Sequence, residues 1–214
     1  MALKTLSAKN AAALDKDLMS FGAFSIDQLM ELAGLSVSQA AGAAGSWLLA
    51  VQETMAVMAW YEVLFMAPQG PMRLATQLRN LGVPFVDDFD SAITEADHVV
   101  DAIFGFSFSG EVREPFPAVI KALKETELPV TSIDAPSSWS IENGPPDSGP
   151  GNGFHPSTLV SLTAPKPLVK WFTGRHFIGG RFVSPDIAKK YNLELPAYEG
   201  IDQVVEVENI AGKL

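Results

Sequence analysis

The sequence predicts an α/β protein with a three-layer, Rossmann-like fold, in which a mostly parallel sheet is preceded by two N-terminal helices. Apolar runs of strand length occur at residues 98–104, 129–134 and 158–163, and stretches with helical periodicity separate them. Alternating strands and helices indicate right-handed βαβ crossovers, which produce parallel sheets. Both N-terminal helices come before this alternation begins.

Each of the two N-terminal helices starts at a capping signal. Ser7 precedes a helical stretch that reaches Met19, and Ser25 and Gln28 have the spacing of a capping box. In the second helix, apolar residues recur every three or four positions and predict one buried stripe. The stripe consists of Leu29, Leu32, Ala33, Val37 and Ala40.

The remaining elements follow from short apolar runs and turn signals. Helices are predicted over 74–81 and 117–127, and a short strand over 84–86. Residues 177–183 predict an edge strand. Ser184 and Pro185 then start a terminal helix, with a cap and a proline at its first position. The segment 145–156, rich in proline and glycine, is predicted to be a loop because strand periodicity resumes directly after it.

Composition excludes several classes of function. The 214 residues predict a single domain spanning 1–214, and the net charge of −10 argues against nucleic acid or an anionic membrane as the partner. The absence of cysteine excludes disulfides, thiol catalysis and cysteine-ligated metals. The apolar window 47–66 contains Gln52, Glu53 and Glu62, which argues against a membrane span. Residues 1–7 lack signal and transit features, so we expect a cytoplasmic protein, with an additional mitochondrial pool left open.

Two aspartates are the first candidates for a functional site. Asp101 and Asp134 each stand at the carboxyl end of a predicted parallel strand, the edge at which open α/β sheets bind ligands. Two carboxylates there can bind a cation, act as acid and base, or hold ribose hydroxyls. The alternative is that each aspartate only caps a helix or forms a turn.

Other polar residues predict less. His98, His155 and His176 have no spacing suited to a shared metal, so we expect them in surface or loop positions. The run from Gly149 to Gly153 resembles a phosphate-binding loop, but it neither directly follows a strand nor opens a helix. We therefore expect a plain loop there.

Four segments carry motifs in a fixed order: Phe24–Leu35, Val100–Gly110 with Val112–Phe116, Ser132–Ser137 and Leu162–Lys166. In order and spacing they resemble the NAD(P)HX epimerases, the YjeF N-terminal domain family. The resemblance covers residues 8–45 and 70–183. It implies an isomerase that interconverts the R and S epimers of hydrated NADH and NADPH, so that a partner NAD(P)HX dehydratase can restore the cofactor.

The resemblance also implies roles for individual residues. Asp101 and Ser137 would coordinate one potassium ion, and Asp134 would contact the dinucleotide. We take Asp134 as the candidate catalytic group, because epimerisation at a hydrated carbon needs proton transfer and stabilisation of a cationic or ring-opened intermediate. The other implied substrate contacts are Gly105, Phe106, Ser107, Phe108, Ser109, Gly110 and Glu111. Family members commonly pair through their N-terminal helices, which predicts a homodimer.

The sequence departs from the family pattern between residues 46 and 66. There the family has a buried strand and a glycine-rich loop, C-G-P-G-N-N-G-G-D-G-L/M-V, which holds the pyrophosphate and supplies a potassium ligand. Here no glycine occurs between Gly45 and Gly70. Read in the shifted frame from Leu49, however, the degenerate code permits the missing motif in unbroken order. We hypothesise that Ser46–Met66 is the motif's DNA translated out of frame; a diverged in-frame helix is the alternative.

This departure sets two expectations. For the chain as written we predict little or no epimerase activity, with residues 46–66 forming a helix, or a strand and a helix, in place of the first strand and its loop. The alternative function is a non-catalytic binding or dimerisation module of the same fold. Retention of Asp101, Phe106–Phe108 and Asp134–Ser137 favours descent from an enzyme, because a scaffold does not need a polar cation pocket.

Overall fold

An eight-stranded sheet forms the centre of the molecule in a computed structural model, which describes residues 4–41, 48–52, 63–66, 72–86 and 88–208. In chain order the strands are β1 (Leu48–Gln52), β2 (Val63–Met66), β3 (Phe85–Val86), β4 (His98–Ala102), β5 (Val130–Ile133), β6 (Thr158–Leu162), β7 (Arg175–Gly179) and β8 (Val204–Val207). Their order across the sheet is β3-β2-β1-β4-β5-β6-β7-β8. All neighbours are parallel except β7 and β8, which confirms the predicted fold class.

The helices are α1 (Ala8–Ser20), α2 (Ile26–Ala41), α3 (Met72–Asn80), α4 (Phe89–Glu95), α5 (Phe116–Glu125) and α6 (Pro185–Lys190), with a 3-10 turn at Pro167–Lys170. The predicted caps are confirmed. The Ser7 hydroxyl accepts a hydrogen bond from the backbone N–H of Asn10. At the start of α2, Ser25 and Gln28 each accept the other's backbone N–H through their side chains, at 3.2 and 2.8 Å. At the start of α6, the Ser184 hydroxyl accepts the backbone N–H of Ile187.

Helices cover both faces of the sheet, which gives three layers. On one face, Val37 and Ala40 of α2 pack with Val100, Ile133 and other residues of the central strands. On the other face, α4 and α5 pack against residues that alternate with these along the strands, including Val99 and Val130. Among the described residues no helix is both long enough and apolar enough to cross a membrane.

The C-terminal part of the sheet differs from the prediction. The predicted edge strand 177–183 is wrong in position and in role: β7 ends at Gly179 and lies inside the sheet, because β8 returns antiparallel on its outer side. Neither β8 nor α4 was predicted. Both are short, and α4 begins at a cap in which the Asp88 side chain accepts the backbone N–H and the hydroxyl of Ser91. Such elements leave little periodic signal in the sequence.

The segment 46–66 also differs from the expected helix. Residues 48–52 form β1, which pairs in parallel with β2 on one side and β4 on the other, and residues 63–66 form β2. A single helix is therefore wrong for these two stretches, whereas β1 agrees with the strand of the strand-and-helix alternative; their leucine, valine and phenylalanine residues suit strands. In the shifted frame the glycine-rich motif would begin at Leu49, within β1, and its remaining positions, within 53–62, lie outside the described residues.

Candidate functional site

Asp134 lies where β5 ends, and its backbone adopts φ +68°. In this left-handed conformation, which aspartate tolerates better than most residues, the chain turns sharply at the sheet edge. Its carboxylate accepts the backbone N–H of Phe106 at 2.9 Å and that of Leu162 at 3.3 Å. One side chain thus connects the ends of three neighbouring strands, β4, β5 and β6.

Lys166 forms a buried ion pair with Asp134. Its ammonium group contacts the carboxylate and donates a second hydrogen bond to the carbonyl of Leu162 at 2.7 Å. Lys166 is only 2% exposed and Asp134 4%. Fully buried lysines are rare unless paired, so this pair is an unusual feature of the edge. The sequence alone assigns Lys166 no role, and the one signal that points to it is a lysine four residues after a buried parallel strand.

A cavity of about 210 Å³ opens beside this pair. One wall comes from the sheet edge and contains Gly105, Phe106, Asp134 and Lys166. The other wall comes from α1 and α2 and is mostly apolar, with Leu14, Leu18, Leu29 and Met30. This volume is below the roughly 300–1,000 Å³ of pockets that enclose a drug-sized ligand. It suits a ring-sized part of a ligand whose remainder extends outside.

Asp15 is the one acidic residue of the helical wall. Partial burial among apolar side chains raises its pKa to about 6, and the nearby Asp134 charge acts in the same direction, whereas the charge of Lys166 opposes them. Sequence reasoning missed Asp15 because an aspartate inside an amphipathic helix gives no local signal of function.

Asp101 lies in β4, with its carboxylate fully buried. It accepts hydrogen bonds from the Ser132 hydroxyl at 2.7 Å and from the backbone and hydroxyl of Ser137 at 2.9 and 2.5 Å. Burial raises its pKa, while the bonds from Ser137 and Ser132 act in the opposite direction. The structure thus brings Asp101 and Ser137 together, as the sequence predicted, with no basic side chain paired to Asp101 among the described residues.

The predicted substrate-contacting segment divides into two parts. Gly105, Phe106 and Ser107 line the cavity with Asp134. Phe108 instead stacks on Phe104, with ring centroids 4.5 Å apart. The last three residues of the segment are exposed and are not among the cavity's lining: Ser109, Gly110 and Glu111.

The histidines correct the expectation of surface or loop positions. His176 is 2% exposed inside β7 and forms a hydrogen bond of 2.9 Å with the Ser161 hydroxyl. His98 is half-buried and bonds Thr131, and only His155 is exposed on a loop. Among the described residues no three acidic or histidine side chains converge as a metal cluster. Gly149 to Gly153 forms turns, as expected.

Comparison with known proteins identifies the family. The family model described as "YjeF-related protein N-terminus" matches residues 70–168. An NAD(P)H-hydrate epimerase of Fusarium vanettenii is 60% identical, with all of both chains covered. One of Neurospora crassa is 59% identical over 97% of each chain. The chain belongs to the NAD(P)H-hydrate epimerase family. A yeast crystal structure agrees with this family fold: it has 32% identity and a TM-score of 0.86, and covers 96% of this chain and 100% of that chain.

The comparisons also bear on the departure at residues 46–66. The family match starts at residue 70, directly after that segment. The alignment with the Fusarium epimerase spans 236 positions, 22 more than the 214 residues of this chain. At least that many aligned positions therefore have no residue here.

Proposed function

We propose that this chain acts on hydrated NADH and NADPH and interconverts their R and S epimers. The observation that carries the proposal is the buried Asp134–Lys166 pair at the carboxyl edge of the sheet, beside a ring-sized cavity, in a chain whose relatives are NAD(P)H-hydrate epimerases. Hydration of a dihydronicotinamide places the hydroxyl on the carbon bonded to the ring nitrogen. Epimerisation at that carbon requires proton transfers and a cationic or ring-opened intermediate.

The pair suits this chemistry. Asp134 can move a proton and can stabilise a developing positive charge on the ring, because its carboxylate is fixed by two backbone N–H groups. Lys166 orients that carboxylate and offsets its charge. Phe106 supplies both a backbone donor to Asp134 and an aromatic wall for the ring.

Asp101 and Ser137 are proposed to hold a potassium ion. Potassium prefers oxygen ligands, and a buried carboxylate without a basic partner among the described residues suits a cation. Ser137 can donate its hydrogen to Asp101 and still offer an oxygen lone pair. A bound cation would offset the charge of Asp101 and of nearby substrate phosphates. The family's asparagine ligand has no counterpart, since residues 46–66 contain no asparagine.

The potassium proposal predicts a specific stabilisation. A ligand that binds only the folded state raises the melting temperature with its concentration. We expect potassium chloride to raise Tm more than tetramethylammonium chloride at equal ionic strength, and Asp101→Asn to remove the difference. Equal effects of the two salts on the unmodified chain would contradict the proposal.

The function is tested by following epimer exchange. Purified chain is mixed with the single S epimer of hydrated NADH, and appearance of the R epimer is measured by chromatography against a protein-free control. We expect little exchange above the control, because the glycine loop that would hold the pyrophosphate is missing. Asp134→Asn should reduce epimer exchange to the rate of the protein-free control. Exchange indistinguishable from the control would favour the second candidate.

The second candidate is a non-catalytic binding or dimerisation module. The loss of every glycine between Gly45 and Gly70 favours it, because close approach of backbone to a pyrophosphate needs such residues. A homodimer and a functional link to a dehydratase stay predictions under either candidate. Sedimentation of the purified chain decides the first of these.

A further inference from the structure

The cavity contains a second acid on a different wall from Asp134. Asp15 lies on α1, between Leu14 and the buried Leu18, whereas Asp134 belongs to the sheet edge. The charged groups facing Asp15 across the cavity are Asp134 and Lys166, and the part of α2 that lines the cavity is apolar. The two carboxyl groups therefore have contrasting surroundings: Asp134 has three donors, and Asp15 has an apolar wall.

From this arrangement we infer that Asp15 is a second catalytic residue of the epimerisation, acting as the proton donor while Asp134 acts as the proton acceptor. This inference rests on the proposed function. Inversion at a hydrated carbon needs water to leave from one ring face and return on the other, so acid and base must reach the ring from different walls. Pairs of carboxyl groups whose environments separate their protonation are the usual acid–base assignment.

The step is balanced as follows. The Asp15 carboxylic acid gives its proton to the ring hydroxyl, the carbon–oxygen bond breaks, and water leaves as the ring-nitrogen lone pair forms a carbon–nitrogen double bond. Water then adds to the other face, and the electron pair of that double bond returns to nitrogen. The Asp134 carboxylate takes the proton released by the added water. Exchange with solvent returns Asp134 and Asp15 to their starting forms, and no oxidant or further reactant is required.

The pKa of Asp15, raised to about 6 by its partial burial, keeps a fraction of the acid protonated near neutral pH. A general acid contributes about 10²- to 10⁴-fold to a rate. We therefore expect kcat for epimer exchange, after subtraction of the protein-free rate, to fall as pH rises through about 6. Asp15→Asn should lower kcat by about 10²-fold or more and remove this dependence. Asp15→Glu, which keeps a carboxyl group, should retain it.

Asp17→Asn is the matched control, because Asp17 lies on the same helix but pairs with Lys190 and Tyr191 away from the cavity. It should leave kcat and the pH dependence unchanged. A merely structural role of Asp15 would lower stability without changing the pH dependence. If Asp15→Asn keeps the wild-type kcat and pH profile, the inference is overturned.

A measurement without turnover separates this inference from the proposed function. Carbon-13 NMR follows the titration of the Asp15 carboxyl, assigned with Asp15→Asn, in the presence and absence of hydrated NADH. We expect a midpoint near 6 that moves when the hydrate is added, while that of Asp17 does not. If the chain shows no epimer exchange, the proposed function fails, and an unmoved Asp15 midpoint would also overturn the role given to Asp15.

Discussion

At the residue scale, the buried pair of Lys166 and Asp134 makes the sharpest stability prediction. Lys166→Met leaves the Asp134 carboxylate buried without its cation, and removing one partner of a buried pair costs about 3–5 kcal/mol. Lys170→Met is the matched control, since Lys170 is exposed at the end of the 3-10 turn whose N-cap is Lys166. Urea unfolding should show a large loss for the first variant and little for the second. Equal losses of unfolding free energy in the two variants would mean that the Lys166–Asp134 pair makes no specific contribution to stability.

His176 predicts a pH dependence of stability at the same scale. Burial, assisted by the charge of Lys166, lowers its pKa to about 4 from the ordinary 6.5. In the unfolded chain the His176 side chain therefore binds a proton below about pH 6.5, whereas in the folded chain it binds one only below about pH 4. The stability due to neutral His176 is fully present above pH 6.5 and falls by about 1.4 kcal/mol per pH unit between these limits.

The measurement compares unfolding free energies of the unmodified chain and His176→Gln across this range. Asp15 contributes with the opposite sign, because its raised pKa means that protonation favours the folded chain as pH falls from about 6. That contribution is common to both proteins and cancels in their difference. The advantage of the unmodified chain over His176→Gln should shrink towards acid. A constant difference would contradict the assignment.

Site residues differ in how far the sequence could predict them. Asp101 and Asp134 were predictable because each stands near the carboxyl end of a buried strand, and a parallel sheet brings such ends together. The role of Ser137 follows only from the family resemblance. Asp15 and Lys166 were not assigned roles, because their contact with the cavity depends on how α1 and the 3-10 turn pack. Contacts between residues that are distant in the chain leave no local pattern in the sequence.

At the element scale, α2 is held to the sheet through Ser36. This hydroxyl is fully buried and accepts the backbone N–H of Gly180 at 3.0 Å. The Gly180 N–H also donates to the carbonyl of Gln203 at 3.1 Å, so Ser36→Ala removes one of its two acceptors, at a cost of about 0.5–1.5 kcal/mol. Ser38→Ala makes the same change two positions along the same helix. We expect Tm to fall clearly for Ser36→Ala and little for Ser38→Ala; similar values would show that the contact is dispensable.

Among the elements, those with caps and periodicity were predicted well. The α1, α2 and α6 starts follow from Ser7, Ser25 and Ser184, whose side chains cap them as expected. The elements that the sequence did not predict, β8 and α4, are short, and β8 forms through pairing with a neighbouring strand. β8 is a strand because β7 offers it an edge to pair with, a fact that exists only in the folded chain.

At the scale of the whole molecule, we predict that the segment 46–66 limits the epimerase activity of the chain. Replacing it with a buried strand followed by the family's motif C-G-P-G-N-N-G-G-D-G-L/M-V should raise the rate of epimer exchange above that of the chain as written. The physical reason is the return of backbone N–H groups able to hold a pyrophosphate. A replacement with the loop's glycines changed to alanine is the control. Equal rates for the replacement and the original chain would refute the dependence on this loop.

The sharp turn at Asp134 has a consequence for descent within the family. Because this carboxylate receives bonds from two neighbouring strand ends and a buried lysine, its removal would weaken folding as well as chemistry. Selection for folding alone therefore keeps it, even in a lineage that has stopped turning over substrate. An inactive family member would therefore keep this carboxylate in the same place, and it could serve catalysis again if the glycine loop were restored. Asp134 is therefore a marker of the family fold, whereas the residues of the glycine loop are the marker of activity.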